Sequence, residues 1–78
     1  MLYELSELQK LLNIAYRGKT KQVYKKLSKM NPAYDDPKLV ELLNFIQAYC
    51  YKVDGDEDNF LIKKKLIDNE DYLTQLES

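Results

Sequence analysis

Seven basic residues fall between Leu8 and Tyr34 with no acid among them: Lys10, Arg17, Lys19, Lys21, Lys25, Lys26 and Lys29. Arg17 and Lys19, followed by Lys21, Lys25 and Lys29 at helical spacing, could contact the phosphates of a nucleic acid. The same row could equally be a solvated helix face, or could meet an acidic surface on a protein or on a second copy of the chain. Residues 34–78 hold eleven of the thirteen acids and five lysines, so the net charge of −1 conceals a basic first part and an acidic remainder. A dedicated nucleic-acid binder of this size is expected to be basic overall, which ranks nucleic acid behind protein as a partner.

Catalytic chemistry is poorly supplied. The chain has no histidine, no glycine-rich phosphate loop, and serines at Ser6, Ser28 and Ser78 with no recognisable base beside them. Clustered carboxylates occur at Asp35/Asp36 and at Asp54/Asp56/Asp58, both in segments where capping and turn formation already use them. Asp54-x-Asp56-x-Asp58-Asn59 resembles the opening of an EF-hand calcium loop, in which oxygens at alternate positions converge on the ion. Its twelfth position is Lys65, so a cation would meet a positive charge where a bidentate glutamate is required. No metal and no cofactor are expected, and the acids read as the start of a helix. Cys50, the single cysteine, excludes an internal disulfide and reads as a small buried hydrophobe in a reducing compartment.

The elements that carry these residues are helical. Leu5, Leu8, Leu12, Ala15 and Tyr16 recur at three and four spacing over 2–17, and Gly18 stands where a left-handed cap is wanted. A second helix over 19–30 buries Val23, Leu27 and Met30 and turns its lysines outward. Asn31-Pro32 breaks the chain, and Asp36-Pro37 offers an N-cap followed by proline at the first helical position. The third helix, 37–53, is apolar around most of its circumference and is expected to be central. Asp54-Gly55-Asp56 makes the next turn, and a fourth helix starts at Asp56 or Asp58 and runs to about 68. Its Phe60 and Ile67 share one face while Ile62 and Leu66 lie off it. A last helix, over 69–76, presents Tyr72, Leu73 and Leu76 and folds back across the others.

Displaced by 37 residues, the chain falls into register with itself: Leu5 meets Leu42, Leu8 meets Phe45, Gly18 meets Gly55, and Met30 meets Ile67. Leu2 likewise meets Leu39. This predicts a single all-α domain over 1–78, made of two stacked helical hairpins, at about 2–31 and 37–68, and a short C-terminal helix at about 69–77. Tyr24-Lys-Lys-Leu27-Ser-Lys-Met-Asn-Pro32 is similar to the end of a tetratricopeptide unit, and Gly18 and Gly55-Asp56 resemble the glycine turn within one. The resemblance implies protein or peptide binding through the inner helices and no catalysis.

Seven tyrosines in 78 residues exceed what such a core needs, and Tyr3, Tyr34 and Tyr51 fall off the apolar stripes. The expected function is therefore a small non-catalytic interaction module of adaptor, inhibitor or chaperone kind. Its expected binding residues are Tyr34, Tyr51, Ile62, Leu66, Tyr72 and Leu76, and self-association is open to it. The alternative is a nucleic-acid-associated regulator acting through Arg17, Lys19, Lys21, Lys25 and Lys29. No stretch has the length of a membrane span or the pattern of a secretory signal, so a cytoplasmic setting without membrane contact is expected.

Overall fold

Five helices follow in the expected order: α1 (Leu2–Tyr16), α2 (Thr20–Met30), α3 (Pro37–Asp54), α4 (Glu57–Lys64) and α5 (Glu70–Glu77). The computed structural model describes residues 2–30 and 34–77, with side chains from residue 5 onward, and no strand occurs among the described residues. The breaker at Asn31-Pro32 and the side chains of Leu2 and Tyr3 lie outside the described residues.

Both hairpin turns are made in one way. Gly18 and Gly55 adopt left-handed φ of 79° and 78°. At the first turn the Gly18 N–H donates to the Ala15 carbonyl at 2.9 Å and Lys19 N–H to Ile14 at 3.3 Å. At the second, Gly55 N–H donates to Lys52 at 3.2 Å and Asp56 N–H to Tyr51 at 2.9 Å. These are paired Schellman bonds, which satisfy carbonyls that a helix end leaves free. The same device at positions 37 residues apart gives the two hairpins a common construction.

Helix α3 begins as its sequence predicts. The Asp36 carboxylate accepts from the Lys38 N–H at 2.9 Å, and Pro37 occupies the first turn, where a missing N–H costs nothing. The helix is central and packs against the other four. It contributes Leu39, Leu42, Phe45, Ile46, Ala48 and Cys50 to a core completed by Leu8, Leu11 and Ala15 of α1, Val23 and Leu27 of α2, Ile67, and Leu76 of α5. An aromatic column reaches into it from the surface: Tyr16 meets Tyr49 edge-on at 5.1 Å, Tyr49 lies 6.3 Å from Phe45, and Phe45 stacks on Tyr72 at 4.4 Å.

Helix α4 is shorter than its periodicity predicts. Asp56 caps it, accepting from Asn59 N–H at 3.4 Å, but the helix stops at Lys64 instead of reaching 68. The chain tightens there, with Leu66 N–H donating to Lys63 and Ile67 N–H to Lys64, each three residues back. The cause is tertiary. A Glu41 carboxylate oxygen on α3 accepts the N–H groups of Asp68 and Asn69, the latter at 2.9 Å, and draws the backbone out of the helical path. Asn69 then caps α5, accepting from Asp71 N–H at 2.9 Å and Tyr72 N–H at 3.3 Å.

Candidate interaction surface

Each sequence-predicted binding residue has a definite place. Leu76 is 2 % exposed and belongs to the core, and Tyr72 is half-buried with its ring stacked on Phe45. The structure thus places Leu76 inside the core and Tyr72 against Phe45, not on an open surface. The apolar side of α5 points inward, and α5 is held there by Tyr16 Oη donating to Gln75 Oε1 at 3.0 Å and by Lys64 pairing with Glu77 at 3.2 Å. Tyr34 is half-buried against the core, and Tyr51 is half-buried with its ring 6.0 Å from that of Tyr24. Ile62 and Leu66 remain on the surface.

Those two belong to a larger exposed patch. Every side chain of α4 keeps some exposure, and Leu61, Ile62 and Leu66 are 45 %, 58 % and 54 % exposed. Leu5, Val40 and Val53 are also exposed, but on other helices. In α4 the inward positions are Phe60, Lys63 and Lys64, all partly buried. Lys64 lies 5.8 Å from the centre of the Phe60 ring as well as against Glu77. The outward positions are Asp58, Leu61, Ile62 and Lys65, spaced as i, i+3, i+4 and i+7, so they form one stripe. Lys65 extends that stripe because it keeps helical φ of −63° and its N–H donates to the Leu61 carbonyl at 3.1 Å. Leu61, Asp58 and Lys65 were not among the expected binding residues. The signal that could have found them is their charged-apolar-apolar-charged spacing, which the 37-residue comparison masks by aligning Leu61 with Tyr24.

A second surface is basic. Arg17, Lys19, Lys21, Lys25 and Lys29 are all exposed, and among the described residues none of them lies within ion-pair distance of a carboxylate. Lys25, Lys26, Lys29 and Gln22 border an open hollow along α2. The structure thus gathers all five predicted basic residues on and beside one helix.

The acidic turn has structural duties. Asp54 accepts from Thr20 Oγ1 at 2.7 Å and from Tyr24 Oη at 3.0 Å, tying the end of α3 to the start of α2. Asp56 accepts from the amide side chain of Asn59 at 2.7 Å as well as capping α4. Among the described residues no three acidic, histidine or cysteine side chains are grouped to hold a metal. Burial and the bond to Asp54 raise the Tyr24 phenol above its ordinary pKa; burial, then the charges of Glu41 and Asp71, raise Tyr72. Cys50 is fully buried, which pushes its thiol from an ordinary 9.0 up to about 11, with the Asp54 charge adding to the shift.

No family model, curated protein or solved structure matches the chain. Among the described residues no helix is long and apolar enough to cross a membrane.

Proposed function

We propose that the protein is a small non-catalytic interaction module, of adaptor, inhibitor or chaperone kind, that binds a protein or peptide through the outward face of α4 and self-associates. The observation that carries this reading is the patch of Leu61, Ile62 and Leu66, each about half exposed on a chain of 78 residues. A domain this small has little apolar area to spare from its core, so large aliphatic side chains gathered at the surface mark a place to be covered. The tetratricopeptide resemblance implies the same class of function. The lack of histidine and the structural use of Asp54 and Asp56 support a role without catalysis, and a single buried thiol suits a reducing, cytoplasmic setting. The test is partner capture by the wild type and by a Leu61→Asp/Ile62→Asp variant of unchanged helical circular dichroism. Loss of the captured protein is expected; an unchanged captured set overturns the reading.

The exposed cations of α2 support a second reading, binding to nucleic-acid phosphates. Fluorescence anisotropy with duplex and single-stranded oligonucleotides at low salt tests it. Reversing Lys21, Lys25 and Lys29 to Glu should abolish binding and its salt dependence if this reading holds. It should leave α4-dependent capture intact.

A further inference from the structure

We infer that the occupant of the α4 face is a second copy of this chain, docked antiparallel about a two-fold axis that passes between Leu61 and Ile62. This rests on the reading of α4 as the working surface and goes on to specify partner and register. The outward stripe of α4 is Asp58, Leu61, Ile62 and Lys65, all exposed. Its spacing is symmetric about the midpoint between Leu61 and Ile62, and its charge is antisymmetric: an acid at one end, a base at the other, two aliphatic residues between them. A two-fold rotation about that midpoint exchanges position 58 with 65 and 61 with 62. It brings Asp58 against Lys65 of the partner subunit at both ends and Leu61 against Ile62 of the partner subunit in the middle. At a rise of about 1.5 Å per residue the two ion pairs stand on the order of 10 Å apart, with the aliphatic contacts between them. An isologous contact must be self-complementary, and this stripe is.

The other basic candidate for the same chain, the outward side of α2, fits less well. It carries Lys21, Gln22, Lys25, Lys26, Ser28 and Lys29, all exposed and all polar, and would leave Leu61 and Ile62 uncovered. The remaining lysines of α4 face away from the stripe. Lys64 is held by Glu77, and Lys63 is half-buried on the inward side. A contact built on a few aliphatic residues and two ion pairs is smaller than the standard interface of about 800 Å² per partner, so the dimer is weak and favoured by low salt.

Sedimentation equilibrium from about 10 μM to about 1 mM protein, a span suited to weak complexes, reads the association directly. The wild type is expected to dimerise. Asp58→Lys and Lys65→Asp each place like charges at both ends of the contact and should weaken association at least tenfold. The double variant should recover it, and an equimolar mixture of the two single variants should form heterodimers that neither forms alone. A wild type that stays monomeric throughout overturns the inference and leaves the capture of another protein by α4 to its own assay. A dimer abolished by Leu61→Asp/Ile62→Asp but unmoved by the single reversals overturns the antiparallel register while keeping α4 as the working face. A dimer indifferent to both sets overturns the inference and, as far as self-association goes, the reading beneath it.

Discussion

Asp54 sits at the carboxyl end of α3, where the helix dipole disfavours a negative charge, yet it ties α3 to α2 through the hydroxyls of Thr20 and Tyr24. Thr20, which donates to it, is 6 % exposed, so removing the acceptor strands a hydroxyl away from water. Asp54→Ala should therefore cost about 1–3 kcal/mol in denaturant unfolding. A double-mutant cycle with Tyr24→Phe should show coupling of about 0.5–1.5 kcal/mol; additive losses would mean that the Tyr24 bond contributes nothing. Cys50 gives a pH signature. Below pH 9 both the folded and unfolded chains hold its proton, and the thiol adds no pH dependence. Between 9.0 and about 11 the unfolded chain has lost the proton while the folded one keeps it, so stability falls by up to about 1.4 kcal/mol per pH unit. The raised phenols of Tyr16, Tyr24 and Tyr72 act in the same direction at higher pH, so the comparison is with Cys50→Ala, which should show a shallower decline above pH 9. An identical slope would place the thiol in water. Native protein at pH 8 should also resist thiol labelling until it unfolds.

At the level of helices, the turns were the legible part. The sequence marks Gly18 as a left-handed cap and Gly55 as a turn, and both adopt left-handed φ; Asp36-Pro37 marks a helix start and is one. A Cβ placed at Gly55 would meet nothing within 4 Å, so the cost of Gly55→Ala is conformational. It should be about 1–2 kcal/mol, a fall in Tm of roughly 4–16 °C for a domain of this size, with Gly55→Asn milder. Equal stability of the alanine variant would contradict the positive φ. The end of α4 was not legible, because it is decided by Glu41, 27 and 28 residues away in sequence from the N–H groups it takes. Local periodicity carries no trace of such a bond. The inward face of α5 was likewise hidden. Tyr72, Leu73 and Leu76 form an apolar stripe that would suit a partner or a core equally; in the structure Tyr72 stacks on Phe45 and Leu76 joins the core. Ile62 and Leu66 could be seen to lie off the inward stripe, and they do face out.

Across the whole molecule, charge is divided between a basic first hairpin and an acidic remainder, and the outward stripe of α4 repeats that division in miniature. If two copies meet through α4, folding and association are linked, because a dimer that forms from native chains alone stabilises them. The Tm should then rise with protein concentration for the wild type and stay constant for Leu61→Asp/Ile62→Asp, as differential scanning calorimetry would show. A wild-type Tm independent of concentration would argue against the linkage. The aromatic column has a different consequence. The chain has no tryptophan, so its near-ultraviolet dichroism comes mainly from tyrosine and phenylalanine rings held in fixed asymmetric surroundings. Tyr16, Tyr49, Phe45 and Tyr72 are drawn in sequence from α1, α3, α3 and α5, and the Phe45–Tyr72 stack exists only while α5 is docked. The protein thus carries a built-in optical gauge of α5 docking, readable apart from the far-ultraviolet signal of its helices and without any added label.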